Sequence, residues 1–160
     1  MINTDHLSLV TSNEFPVTDE EKFKELLRGF PKSIEVHTSK EVGTGITLYS
    51  IDGECDLEWF PPVNCEDCTE CMACKGNKDS VTEGDATKCR LENGYSNIGA
   101  FFEALKELIP TGRAAFFQQI RYEHDSGMEA YVDFVATGIV VCRSMEALEE
   151  ELCDRYQVDT

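Results

Sequence analysis

This sequence is short of positive charge, of histidine and of long apolar runs, and each shortage removes a class of function. It carries 14 Lys and Arg against 31 Asp and Glu, a formal net charge of −17. A chain that grips a polyphosphate backbone needs a basic surface, so no direct nucleic-acid partner is expected. No uncharged apolar stretch approaches the roughly 18 residues of a spanning helix, so no membrane partner is expected either. The first residues lack a basic block followed by an apolar one, and the expected location is cytoplasmic, without a secretory signal. With only three histidines, the familiar catalytic patterns are missing. There is no His-Glu-x-x-His, no Gly-x-Ser-x-Gly and no phosphate loop, and neither half of a zinc deaminase signature is complete. Gly43-Thr44-Gly45 has glycines but no following Lys-Ser/Thr.

What is present is acid, spread evenly. Residues 1–60 hold five basic and twelve acidic residues, a net −7; residues 61–96 hold four and seven, a net −3; residues 97–160 hold five and twelve, again −7. Such a distribution is not an added tail. It serves solubility or high-salt adaptation through self-repulsion, or it presents a surface to a basic partner.

The hydrophobic fraction of 41% over 160 residues supports one α+β domain spanning 1–160 with its own core. Leu7, Leu9 and Val10 suggest a first strand. Thr18-Asp19-Glu20-Glu21 has the form of a capping box, with Thr18 as the cap, before a helix faced by Phe23, Leu26, Leu27 and Phe30. Ile34 and Val36 alternate with Glu35 and His37 in an exposed strand. A second strand, 46–51, leads to Asp52-Gly53, a hairpin signal because both residues tolerate positive φ. The returning strand sets Cys55, Leu57 and Trp59 on one face and Glu54, Asp56 and Glu58 on the other. Asn97 or Ser96 caps a second helix with Ile98, Phe101, Phe102, Leu105, Leu108 and Ile109. Three strands follow, over 115–122, 128–135 and 139–142, the middle one opened by Asp125-Ser126-Gly127 and the last by Thr137-Gly138. Ser144 caps a final helix with Met145, Leu148, Leu152 and Tyr156 inward. The order admits two antiparallel arrangements under packed helices. One is a duplication of an αβββ unit; the other is a ferredoxin-like β-α-β-β-α-β core with extra strands.

Between the halves, residues 61–96 form a turn-rich, cysteine-rich insertion with too few apolar residues to order itself. Cys65, Cys68, Cys71 and Cys74 stand at a spacing of three, and Cys89 follows. A Cys-x2-Cys turn aims two thiolates at one metal, and overlapping pairs make zinc the first expectation, with Cys89 relieving a cramped four-in-a-row site. Cys65-x2-Cys68-x2-Cys71 resembles the opening of a bacterial four-iron ferredoxin motif, so an iron–sulfur cluster is the alternative cofactor. The next cysteine departs from that motif: it follows after two residues and precedes Lys75 rather than proline. Disulfides or reduced thiols also fit the spacing. Cys55, Cys142 and Cys153 sit in element-like patterns and read as packing thiols.

These features point to an acidic, non-enzymatic interaction module whose Asp52, Glu54, Asp56 and Glu58 face a basic protein surface. A nucleic-acid-binding protein, engaged by mimicry of its nucleic acid, is the concrete partner. Two alternatives belong to other classes. One is a metal-dependent hydrolase or nuclease using strand acids or His124; the other is a small iron–sulfur or thiol redox protein.

Overall fold

Helix starts in this chain are set by short polar side chains taking up orphan amide protons, and they locate the rest of the fold. The computed structural model describes residues 6–61, 96–125 and 127–157. Within them the order is β1 (His6–Ser12), α1 (Glu20–Leu27), β2 (Glu35–Lys40), β3 (Thr47–Gly53), α2 (Ile98–Leu105), β4 (Ala114–Glu123), β5 (Gly127–Ala136), β6 (Ile139–Ser144) and α3 (Met145–Tyr156). Asp19 Oδ1 accepts the amide proton of Lys22 at 3.1 Å, so α1 is capped one residue later than Thr18. The Thr18 amide is committed elsewhere: it donates to the Leu108 carbonyl at 2.7 Å and ties the entry of α1 to the chain leaving α2. Asn97 caps α2 through Ala100 and Ser144 caps α3 through Ala147, both at 3.1 Å. Ser96, the other capping candidate, instead accepts from the Trp59 amide at 3.2 Å.

All strand pairs are antiparallel, and the sheet order is β2-β3-β1-β4-β5-β6. The first four strands, with α1 and α2 between them, have the split β-α-β order of the ferredoxin-like core. Strands β5 and β6 extend it past β4. The described residues do not carry a second αβββ unit, because Glu54–Phe60 forms no strand. Its backbone bonds run to the helices: Phe60 N–H to Gly29 O at 2.9 Å, and Asn97 N–H to Trp59 O at 2.7 Å. The Trp59 indole adds a bond to the Leu26 carbonyl at 2.7 Å. A Cβ at Gly29 would run into that indole and into the Phe60 carbonyl, so the crossing requires glycine. The alternation of burial survives without the ladder: Leu57 and Trp59 are buried, Glu54 and Glu58 exposed.

Asp52-Gly53 is likewise not a turn. Both residues belong to β3, pairing with Thr11 and Val10. Gly53 is absent from the positive-φ glycines, which include Gly43, Gly45, Gly127 and Gly138. A Cβ there would sit 2.7 Å from the Ser33 carbonyl oxygen, so close approach rather than backbone curvature explains this glycine.

Side chains alternate across the sheet. One face meets α1 and α2 and supplies the core: Val10, Tyr49, Ile51, Ala115, Phe117 and Val135 against Phe23, Phe101, Phe102 and Leu105. Its center is a set of aromatic contacts. Phe15 packs edge-on against Phe23 and Phe117 at 5.8 and 5.9 Å, and Phe101 reaches Phe30, Trp59 and Phe117 at 4.8, 5.9 and 6.1 Å. Helix α3 lies beside β5 and β6. Its inward stripe is shallower than its sequence suggests: none of its residues is buried, and Tyr156 is 68% exposed. No helix among the described residues is long and apolar enough to cross a membrane.

Residues 62–95 fall outside the described residues, and with them Cys65, Cys68, Cys71, Cys74 and Cys89.

Candidate functional site: an acidic trough on the open sheet face

The face of the sheet away from α1 and α2 is built from Leu7, Leu9 and Thr11 of β1, Phe116, Gln118, Ile120 and Tyr122 of β4, and Met128 at the start of β5. Register makes these neighbors: Leu9 stands opposite Ile120, Thr11 opposite Gln118, and Tyr122 opposite Met128. Several stay open to solvent, including Leu9 at 38%, Ile120 at 43% and Met128 at 73%. Farther along, Phe116 stacks with Phe134 at a centroid distance of 5.1 Å.

A defect in pairing opens a trough in this face. Strand β1 is paired with β4 along all of His6–Ser12, but β3 meets β1 at only two positions, Val10↔Gly53 and Thr11↔Asp52. Beyond Gly53 the chain leaves the sheet. The resulting trough has a volume of about 710 Å³. Among its lining residues, Leu9 and Ile120 face each other across β1 and β4, Glu35 and Asp52 across β2 and β3 with Glu54 beyond, and Thr11 lies between Asp52 and Gln118. No Lys or Arg lies among the described residues that line it. The arrangement offers an apolar shelf beside three carboxylates, which suits a cationic group carried on an apolar stem.

At the head of the trough the ladder gathers Glu35, His37 and Asp52. Glu35 is directly opposite Asp52, and His37 is two residues farther on the same face. The imidazole Nε2 lies 3.0 Å from Asp52 Oδ2 and 3.6 Å from Glu35 Oε2, with the His37 and Asp52 side chains each about half exposed. Sequence reasoning reached the two β2 residues as one strand face but not their convergence with Asp52, which requires the register.

The four acids expected on one strand face divide. Asp52 and Glu54 line the trough. Asp56 is engaged by Arg121, whose Nε donates to its Oδ1 at 3.2 Å, and Arg121 alternates away from Gln118 and Ile120 on β4. Glu58 is exposed between buried Leu57 and Trp59. His124 is exposed in the turn after β4, 3.3 Å from its neighbor Asp125. Glu41, on the β2–β3 connection, is held below the usual carboxylate range by hydrogen bonds from Thr44 and from Arg113, which reaches it at 2.6 Å.

Of the described cysteines, Cys55 is half-buried with its thiol 3.6 Å from the Ser33 carbonyl, a packing role. Cys142 shares a polar patch on the other face with buried Asp133, whose carboxylate accepts from Gln119 at 2.9 Å. Desolvation first, and a hydrogen bond to Asp133 second, push the Cys142 thiol up to about 11. A thiol so biased is a poor nucleophile at neutral pH.

Comparison of the chain with known protein families, with curated proteins and with solved structures gives no match in any of the three.

Proposed function

We propose that the protein is a non-enzymatic binding module that takes a basic segment of another protein into this trough. Lysine or arginine side chains of the partner meet Glu35, Asp52 and Glu54, and an apolar side chain covers Leu9 and Ile120. The observation that carries this reading is the pairing of a carboxylate wall with an uncovered apolar wall in one depression. A sheet face that binds single-stranded nucleic acid combines stacking aromatics with cations; here the acidic wall repels phosphate. The surrounding charge of −17 speeds encounter with a cationic partner and makes it salt-sensitive. A partner of this chemistry is the basic groove of a nucleic-acid-binding protein, which the module would occupy in place of nucleic acid.

The test is a titration of the full chain with a labelled extended peptide of alternating arginine and leucine, repeated across a salt series. Glu35→Gln/Asp52→Asn/Glu54→Gln is expected to weaken binding by about tenfold or more, in line with loss of close charge pairs. Glu146→Gln/Glu149→Gln/Glu150→Gln removes the same charge from α3 and is expected to leave most of the affinity. Equal weakening by both sets would reduce the interaction to diffuse attraction and remove the trough from the account.

A further inference from the structure

We propose that Glu35, His37 and Asp52 form a site for one divalent first-row cation, with Mn²⁺, Fe²⁺ and Zn²⁺ as the chemical class. The ligand set is an imidazole with two carboxylates. Three features of the ladder support it. First, the donors are preorganised: Glu35 and Asp52 face each other across β2 and β3, and His37 follows on the same face. Second, the spacing suits a shared ion. One ligand atom from each residue lies within 4.8 Å of the others, and the two contacts to Nε2 measure 3.0 and 3.6 Å. Ligand atoms around a cation held at about 2.1 Å stand roughly 3–3.5 Å apart, so small side-chain rotations close the set. Third, two carboxylate oxygens converge on a single ring nitrogen. That nitrogen is the one ring atom through which the imidazole and both acids could share an ion. Neither Glu35 nor Asp52 makes an ion pair with a Lys or Arg among the described residues.

The mixed donor set selects the metal class. Imidazole is a poor match for Mg²⁺ and Ca²⁺, which prefer oxygen throughout, and the absence of thiolate disfavors Cu(I). Three protein ligands leave coordination positions that open toward solvent and the trough. This site is separate in chemistry from the cysteine run, and it does not depend on the trough accepting a basic partner. The two would compete, because both use Glu35 and Asp52.

Mn²⁺ is the probe to use, since thiolates bind it weakly and its paramagnetism reports its neighbors. The full chain is titrated with Mn²⁺ at physiological salt, and bound ion is followed by electron paramagnetic resonance, including detection of coordinated nitrogen. One Mn²⁺ with a single imidazole nitrogen is expected. His37→Ala should abolish the nitrogen signal and weaken binding by about tenfold or more, although it leaves the number of acidic groups unchanged. Glu149→Gln/Glu150→Gln should change neither. Undiminished Mn²⁺ affinity in His37→Ala, a bound ion without nitrogen in the unaltered protein, or no stoichiometric binding would each overturn the proposal. The nitrogen signal is read on the unaltered protein and does not depend on any variant folding.

Discussion

The two faces of the sheet are made by the same strands and differ in what becomes of their apolar side chains. On the helix-covered face, Phe15, Phe23, Phe101 and Phe117 are fully buried and touch one another in edge-on pairs. On the other, Leu9, Ile120 and Phe116 stand in register yet remain more than a third exposed. Hydrophobic burial stabilises in proportion to the area removed from water, so the first face holds the fold and the second contributes little to it. That uncovered apolar surface is what the proposed partner would cover.

Truncation separates the faces most sharply. Phe101→Ala, at the center of the aromatic cluster, is expected to cost about 3–5 kcal/mol in denaturant unfolding. Ile120→Ser, across the sheet, should change stability by no more than about 0.5 kcal/mol while weakening the arginine–leucine peptide in the same titration that tests the carboxylates. Comparable stability losses at the two positions would show the open face to be structural and end the contrast. A smaller difference lies in thiol chemistry. Cys142, exposed but raised by partial desolvation and by Asp133, should alkylate more slowly at pH 8 than an unperturbed thiol, and Asp133→Asn should quicken it; mass-spectrometric mapping of modified cysteines reads both.

The smallest effect expected is on the acid limb of stability. Hydrogen bonds from Thr47 and then Tyr49 hold Glu20 below its ordinary value, with the Tyr49 hydroxyl 3.1 Å away. A carboxylate lowered in the folded state stabilises it above the unfolded pKa, and that contribution disappears as pH falls through the folded one. Tyr49→Phe should therefore narrow the stability difference between neutral and acidic pH. No change in the pH profile would mean that the bond contributes nothing to it.

Much of the covered face can be read from the sequence, because local pattern decides it. Phe101, Phe102 and Leu105 recur at helical spacing, and Asn97 and Ser144 announce helix starts. The strand order is less legible, and the errors have definite physical causes. Thr18 and Asp19 are both good caps, and a bond from the Thr18 amide to Leu108, far along the chain, decides between them. Gly53 looks like a turn residue because its nearest steric neighbor, Ser33, is twenty positions away. Glu54–Phe60 alternates like a strand, but its backbone partners are Gly29 and Asn97, on segments that no pairing rule connects to it. The trough is the least legible feature of all. It exists because β3 ends two pairs into its contact with β1, and no residue type records where a neighboring strand stops.

That early ending has a mechanical consequence. Strands β2 and β3 form a small leaf, fastened to the larger leaf of β1, β4, β5 and β6 by the ladder pairs Val10↔Gly53 and Thr11↔Asp52 and, just past β1, by the Phe15↔Tyr49 bridge. The trough lies across this seam, with Glu35 and Asp52 on one leaf and Leu9 and Ile120 on the other. The proposed guest lying there would act as a splint across two plates that the strand ladder joins narrowly, so its occupancy would be felt as stiffness well away from the point of contact.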